Sequence, residues 1–220
     1  MVGTPIGNMG DLSPRAKLLL ENVSYIACED TRHSGLFLNS LGIKATLISY
    51  HQHNTKSRIP QFLNFLKEDL SIALISDAGL PLISDPGEEL VFATKQKGHD
   101  VICIPGPCAA TTALVSSGLP SKRFCFEGFL PTKNKERKLR LKKLSQETRT
   151  TIIYESPHRI ISLLKELSDF CGKQRPIIVT RELTKLHEET IGKTIMDTLD
   201  YFETNKPIGE FTLVLGGTKQ

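Results

Sequence analysis

The 220-residue chain has few cysteines and no long apolar run. Its five cysteines are scattered, odd in number and free of any Cys-x-x-Cys pair, so the sequence excludes a disulfide framework and favours reduced thiols. No apolar run approaches the roughly 18 residues that a transmembrane helix needs. The first residues lack the basic and apolar regions of a secretion signal. We therefore expect a cytoplasmic protein without a membrane segment.

Motifs that cradle phosphate are missing as well. The chain has no Gly-Lys-Ser/Thr P-loop and no Gly-x-Gly-x-x-Gly fingerprint. It has no internal repeat and no low-complexity tract, and its 39% hydrophobic and 24% charged residues are typical of a globular protein. The length allows one large domain or two small ones.

The first half of the chain alternates strand-like and helical patterns. Ser13-Pro14 predicts a helix start, because serine caps and proline suits the first helical position. Such alternation favours an α/β fold with a mostly parallel sheet. Only Met1-Val2 precede Gly3, so we expect a short first strand. The predicted later strands are Ser24–Cys28, Thr46–Ser49, Ile72–Ser76 and Val101–Ile104.

A turn-rich stretch at 117–121 predicts a domain boundary. We therefore predict an N-terminal α/β domain at 1–118 and a C-terminal α/β domain with a mixed sheet at 119–220. We expect the chain to close with a strand pair, Glu189–Gly192 and Phe211–Leu215, around one helix.

Six segments rich in glycine, proline and charge follow predicted strands. In open α/β sheets, ligands bind outside the carboxyl ends of the strands. One such loop alone would indicate only a turn, but six together predict one shared cleft. The segments are Gly3–Asn8, Cys28–Ser34, Ser76–Gly87, Ile104–Ala110, Tyr154–Arg159 and Arg181–Lys185.

The loop at 76–87 is acidic, which constrains its ligand. Asp77 and Asp85 would repel phosphate and favour an ammonium or a sulfonium. Gly79 and Gly106 allow a close backbone approach. The helix predicted to begin near Ala110 offers amides that suit a carboxylate. S-adenosylmethionine combines these features, although other zwitterions would fit.

The segment 131–149 carries most of the positive charge. It holds eight basic and two acidic residues, a net charge of +6 against +4 for the whole chain. We expect Leu139 and Leu144 to hold this helix down while its cations face outward. A solvated surface is the simpler interpretation, but a patch larger than the total charge favours a polyanion, and RNA is the obvious one.

Two histidines, His51 and His53, alternate on one extended segment. No third ligand follows at a spacing typical of zinc, so we predict no metal site. We interpret the pair as a surface or RNA-facing feature.

Seven motifs in order resemble the ribosomal RNA small-subunit methyltransferase I family of the tetrapyrrole methylase superfamily, from Gly3 to near Leu215. The resemblance implies two α/β domains with the cofactor in the cleft between them, usually in a homodimer. It implies S-adenosylmethionine-dependent methylation of a cytidine ribose 2′-hydroxyl in the decoding region of small-subunit RNA, free or in the assembled subunit. The motifs are TPIGN-x-GD, CEDTRHS, SDAG-x-PLISDPG, PGP-x-AA, FEGFLP, YESPHR and RELTK.

The candidate residues fall into three groups, and the general base is not chosen among them. Cofactor binding is expected from Asp77, Gly79, Leu80, Pro81, Pro105, Gly106, Cys108, Ala109 and Tyr154. The catalytic candidates are Glu29, His33, Glu155, His158 and Glu182, with Asp30 and Lys185 as further candidates for the base. RNA contacts are expected from Arg32, Lys138, Arg140, Lys142, Arg159, Arg181 and Lys185.

Three alternatives stay open. The charged residues could form buried arginine–carboxylate pairs that only join the two domains. The protein could be a methylase of a tetrapyrrole or another small molecule, for which the basic helix has no use. It could also be a non-catalytic RNA-binding protein of ribosome assembly, which would bind RNA without regard to S-adenosylmethionine.

Overall fold

The computed structural model describes residues 1–218. The chain divides into two compact units, Met1–Cys108 and Ala109–Gln220. The first helix of the second unit, Ala109–Ser117, packs against strands of the second sheet. The division therefore falls after Cys108, whereas the sequence places the boundary after Gly118. Both units combine helices with a sheet, which confirms the α/β class.

The first unit has a parallel three-stranded sheet. β1 lies in the middle, with β2 on one side and β3 on the other. Ser13 caps α1 by accepting a hydrogen bond from the Ala16 amide at 3.1 Å, as its sequence predicts. The elements are a 3-10 turn at Met9–Asp11, α1 (Pro14–Asn22), β1 (Tyr25–Cys28), α2 (Thr31–Ser40), β2 (Leu47–Ser49), α3 (Thr55–Lys67), β3 (Ile72–Leu74) and α4 (Glu88–Gln96).

The predicted strand Val101–Ile104 is wrong. Only one isolated parallel bridge forms there, between Val2 and Ile104. The Val2 amide also donates to Leu74 O at 2.9 Å, so Met1–Gly3 lies between β3 and this segment.

The second unit has a mixed five-stranded sheet in the order β4-β5-β8-β6-β7. β4 and β5 are parallel, and β8 runs antiparallel to both β5 and β6. The two predicted closing strands and the helix between them are confirmed, but the two strands do not pair with each other, because β6 lies between β7 and β8. The elements are α5 (Ala109–Ser117), β4 (Phe124–Phe129), α6 (Asn134–Gln146), β5 (Thr150–Glu155), α7 (Ile160–Cys171), β6 (Ile177–Arg181), β7 (Glu189–Ile191), α8 (Ile195–Thr204) and β8 (Phe211–Leu215).

The strand directions bring the motif loops of each unit to one edge. In the first unit, the parallel strands β1, β2 and β3 all end at the same side of their sheet. In the second unit, β4, β5 and β6 point the same way, because β5 and β6 are both antiparallel to β8. The carboxyl edge of each sheet is therefore where side chains from separate motifs meet.

Two glycines allow the first and last loops of the first unit to touch. A Cβ atom built on Gly3 would lie 2.7 Å from the Cα of Gly106, and one on Gly106 would lie 2.8 Å from the Cα of Gly3. Backbone atoms cannot move aside as a flexible side chain can. Both positions therefore exclude any side chain.

Gly3→Ala should lower the thermal unfolding temperature, with a loss of about 1–3 kcal/mol that is typical of overpacking. The matched control is Gly35→Ala in α2, where the new Cβ would lie 3.7 Å from Leu47 Cδ1, an ordinary contact. Alanine favours a helix over glycine by about 1 kcal/mol, so the control should be neutral or stabilising. Equal stability of Gly3→Ala and the wild type would contradict the close contact.

Candidate functional site

The acidic loop at 76–87 is fixed by hydrogen bonds to one carbonyl. The Gly79 oxygen accepts from the Thr4 amide at 2.9 Å, from the Thr4 hydroxyl at 3.3 Å and from the Ser76 hydroxyl at 3.2 Å. Gly79 has φ +84°, and a Cβ there would lie 3.3 Å from the Pro107 oxygen. The glycines at 79 and 106 thus serve packing between loops, and the approach of their backbone to a ligand, expected from the sequence, stays a prediction.

Further along this loop, two residues other than glycine adopt left-handed backbone angles. Leu82 has φ +75° and Ser84 has φ +67°. Such angles cost free energy for any residue that carries a Cβ. The surrounding contacts therefore impose the shape of the loop.

Three carboxyl groups lie near one another at this edge. Burial raises the pKa of Asp85 to about 6, and the negative charges of Glu29 and Asp77 add to the rise. Neither Glu29 nor Asp77 forms an ion pair with a cationic side chain within residues 1–218. The edge therefore carries uncompensated negative charge that a positively charged group would relieve.

A polar pocket of about 540 Å³ opens at the same edge. It collects residues that directly follow β1, β2 and β3. Its wall after β2 is held by Asn54, which accepts from the His51 amide at 2.9 Å and donates to the Ser49 carbonyl at 3.1 Å. The lining residues are Glu29, Asp30, Thr31, Arg32, Ser49, His51, Gln52, His53 and Asp77.

Several of the residues that the sequence singled out line this pocket. Glu29 is half-buried and Asp77 is exposed, and both contribute to the lining. Arg32 pairs with Asp30 at 2.7 Å, and its hydrogen bonds hold the pKa of Asp30 well below the usual range. His33 is exposed and is not part of the lining.

Sequence reasoning missed the pocket wall contributed after β2. It interpreted His51 and His53 as a surface or RNA-facing pair and did not consider Ser49 or Gln52 as part of a site. The available signal was their position directly after a predicted strand, the same criterion that selected the other loops.

The remaining cofactor candidates of the first unit differ in exposure. Pro81 is buried, Pro105 is exposed, and Leu80, Gly106 and Cys108 are half-buried. Their role in binding remains a prediction.

In the second unit, Tyr154 caps the start of α5. Its hydroxyl accepts the Ala110 N–H at 3.0 Å, so this amide is not free, contrary to the expectation for this helix. The Tyr154 ring centroid lies 5.1 Å from that of Phe126 and 5.7 Å from that of Phe129. Ala109, one residue before the capped amide, is half-buried.

Glu155 ends β5 as a buried carboxylate between two arginines. Its side chain has 0% exposure, and Oε1 lies 2.6 Å from Arg159 and accepts the Ser156 amide at 2.8 Å. Oε2 lies 4.0 Å from Arg137 and has no hydrogen-bond partner within residues 1–218. Arg137 is in turn paired with Glu166 of α7 at 2.7 Å. Next to this cluster, His158 is exposed.

The loop after β6 is held by a second group of charges. Glu182, at φ +53°, accepts from Lys185 and from the Glu210 amide, each at 2.9 Å. Burial alone would raise the pKa of Glu182, but these hydrogen bonds outweigh it and lower the pKa. Arg181 pairs with Glu189 at 3.0 Å. Arg181, Glu182 and Lys185 therefore all have carboxylate or ammonium partners.

The basic helix α6 packs differently from its prediction. Leu141 and Leu144 are buried, whereas Leu139 is 58% exposed, so Leu139 does not hold the helix down. Position 141 lies one turn before 144 and shares its face. Arg137 is buried, so not every cation of the helix faces outward.

The cations that were assigned to RNA lie on the exposed side of α6. Lys138 and Lys142 are exposed, and Arg140 is exposed but pairs with Glu127 at 3.1 Å. No group of three or more histidine, cysteine or acidic residues within residues 1–218 could hold a metal ion.

Comparison with known proteins places these observations in a family. The family described as Tetrapyrrole (Corrin/Porphyrin) Methylases matches residues 1–199. The chain is 50% identical over 217 residues to the ribosomal RNA small subunit methyltransferase I of Synechocystis sp., with 99% of this chain and 78% of that protein covered. It is 43% identical to the protein of the same name from Thermotoga maritima, with 99% and 97% covered.

Solved structures show the same fold at low sequence identity. The methyltransferase CobJ superposes with a TM-score of 0.73 at 16% identity, covering 99% of this chain and 92% of that one. The cobalt precorrin-4 methyltransferase CbiF superposes with a TM-score of 0.69 at 16% identity, covering 98% and 93%.

Glu155→Gln should destabilise the protein, because it removes the charge that two arginines share. We expect a loss of about 3 kcal/mol, at the low end of the cost of breaking a buried pair, since Arg137 keeps Glu166 and Arg159 reaches solvent. Denaturant unfolding measures it. The control Glu21→Gln breaks the exposed Lys17–Glu21 pair at 3.9 Å and should cost less than about 0.5 kcal/mol. Equal effects of the two substitutions would contradict a structural role for Glu155.

Proposed function

Because the chain belongs to the tetrapyrrole methylase family, and within it to the ribosomal RNA small subunit methyltransferase I group, we propose that it methylates the ribose 2′-hydroxyl of a cytidine in the decoding region of small-subunit RNA. The family membership supports methyl transfer to ribosomal RNA from S-adenosylmethionine. The cytidine, its 2′-oxygen and the decoding region are the finer parts of the proposal, and they rest on the motif resemblance.

The observation that carries the proposal is the uncompensated negative charge at the carboxyl edge of the first sheet. Glu29 and Asp77 both contribute to the raised pKa of Asp85, and Asp77, the acidic residue that we propose for the cofactor, lacks a cationic partner within residues 1–218. A donor that carries an ammonium and a sulfonium fits this environment, whereas a nucleotide phosphate does not. In the first unit, we propose that Asp77, Gly79, Leu80, Pro81, Pro105, Gly106 and Cys108 hold it.

Under this proposal, the protein contributes to methyl transfer in two ways. When bound, S-adenosylmethionine supplies a methyl group that is already activated on a sulfonium sulfur. The protein must hold the acceptor hydroxyl in line, which can lower the barrier by roughly 7–11 kcal/mol. A basic side chain must also take the hydroxyl proton, which contributes about 10²–10⁴-fold.

We propose that Glu155 is not the proton acceptor. Glu155 is enclosed and bound to Arg159, so we propose that it positions this arginine and does not touch RNA. The other candidates reach the surface in part or fully: Glu29, Asp30, His33, His158, Glu182 and Lys185. They remain candidates, and Tyr154 and Ala109 remain proposed cofactor residues of the second unit.

We propose that ribosomal RNA, free or in the assembled subunit, lies against α6. The exposed Lys138 and Lys142 support this, together with the net charge of +6 in the segment 131–149. Arg32, Arg159, Arg181 and Lys185 are proposed as further phosphate contacts. Their carboxylate partners at 2.6–3.0 Å orient them and reduce their net charge.

Two further proposals concern the state of the protein. A homodimer is supported by the exposed aromatic side chains Phe124, Phe126 and Phe129 on the edge strand β4.

Within residues 1–218, no helix has the length and apolar character to cross a bilayer. A cytoplasmic location is proposed from the ribosomal substrate.

The decisive test is transfer of labelled methyl from S-adenosylmethionine to small ribosomal subunits that lack this modification. We expect label in a single cytidine linkage that resists alkaline cleavage, since a methylated 2′-oxygen cannot attack the neighbouring phosphate. Cofactor binding without label on RNA would contradict the proposal and favour a small-molecule methylase. RNA binding that ignores the cofactor, again without label, would favour a ribosome-assembly protein.

Neutralising Lys138, Arg140 and Lys142 to glutamine should flatten the salt dependence of RNA affinity. Each lost phosphate contact lowers the slope of log K against log salt by about 0.7–0.9. The control replaces Lys67, Lys95 and Lys97 of the first unit, which changes net charge equally. An unchanged slope in the α6 variant, or an equal change in both variants, would remove α6 from the RNA interface.

A further inference from the structure

The polar pocket of the first unit presents hydrogen-bonding groups of mixed type around a space suited to a small molecule. Its volume of about 540 Å³ lies within the usual range of ligand pockets. Carboxylates at Glu29 and Asp77 accept hydrogen bonds only, while the imidazoles, the Ser49 hydroxyl and the Gln52 amide can donate. The lining therefore suits a polar group that donates hydrogen bonds to the carboxylates and carries no negative charge.

The charges of the pocket exclude a phosphate from its interior. Glu29 and Asp77 have no cationic partner within residues 1–218. The single arginine of the lining, Arg32, is paired with Asp30 at 2.7 Å and its side chain is 88% exposed, so it is available to a phosphate outside the pocket but not inside it. A phosphate would meet two unpaired negative charges. Of the parts of an RNA chain, the uncharged base therefore fits best.

The aromatic side chains of the pocket also favour a base. His51 and His53 have ring centroids 6.0 Å apart at an angle of 60°, and Asn54 fixes the backbone of His51. Unpaired RNA bases are commonly splayed out and stacked on aromatic side chains, histidine included. An extruded base could contact these rings while its edge meets the carboxylates.

We infer that this pocket receives the base of the acceptor nucleotide and that Glu29 accepts a hydrogen bond from its exocyclic amino group. This inference rests on the proposed function. Cytosine carries such an amino group at N4, whereas uracil presents an oxygen there, which a carboxylate repels. Glu29 then determines the specificity for cytidine, while the transfer of the proton belongs to another side chain.

Glu29→Gln tests the assignment, because a glutamine amide can accept from N4 or donate to the uracil oxygen. The substrates are small ribosomal subunits prepared with cytidine or uridine at the acceptor position. We expect the wild type to prefer cytidine and the variant to lose about tenfold to a hundredfold of that preference in kcat/KM. Direct titration should show unchanged affinity for S-adenosylmethionine. The matched control is Glu68→Gln, at an exposed position after α3.

His51→Ala is a second test of the pocket assignment, which can be used if Glu29→Gln does not fold. It removes a stacking surface, so KM for the ribosomal substrate should rise while the affinity for the cofactor stays constant. His99→Ala, outside the pocket, is its control and should leave both quantities unchanged.

Three results would overturn the inference. An equal loss of rate on both substrates with the preference retained would assign Glu29 to proton transfer. Weaker S-adenosylmethionine binding in Glu29→Gln would assign the pocket to the cofactor. If the wild type transfers no methyl to either substrate, the proposed function itself fails and the inference fails with it.

Discussion

The buried carboxylate of Glu155 is the group on which the carboxyl edge of the second sheet depends. It ends an inner strand, accepts the Ser156 amide and binds Arg159, while Arg137 of α6 lies 4.0 Å away and is itself paired with Glu166 of α7. A buried charge is retained only where opposite charges and hydrogen bonds offset the loss of water. Glu155 therefore links the end of its strand to the start of α7 through Arg159 and to α6 through Arg137.

The loops at the carboxyl edges of the two sheets are held in place by different kinds of interaction. In the first unit, contacts are made through backbone: Gly3 lies against Gly106, and one carbonyl of Gly79 gathers donors from Thr4 and Ser76. In the second unit, side-chain ion pairs hold the corresponding loops. This difference leaves the carboxylates Glu29 and Asp77 of the first unit without cationic partners within residues 1–218, which gives that edge its chemical character.

Local signals in the sequence predicted most helices and strands but not which strands lie next to each other in a sheet. Ser13-Pro14 fixes a helix start because the cap is a local interaction. The order of β7 and β8 depends on pairing across the sheet, which no local pattern encodes. The sequence placed Leu139 and not Leu141 on the buried face of α6, because this apolar face is narrow. It did not predict the burial of Arg137, because the partner of this arginine, Glu166, lies 29 residues away in the chain. The loops of the candidate site were found by their position after strands, whereas the pocket wall at His51 required the folded chain.

The left-handed residues Leu82 and Ser84 have a consequence for the thermodynamics of binding. The loop loses its conformational entropy when the protein folds, so its shape is fixed before any ligand binds. A ligand that contacts this loop does not have to order it, and its binding free energy is not reduced by that entropy cost. The cost of preorganising the loop instead lowers the free energy of unfolding.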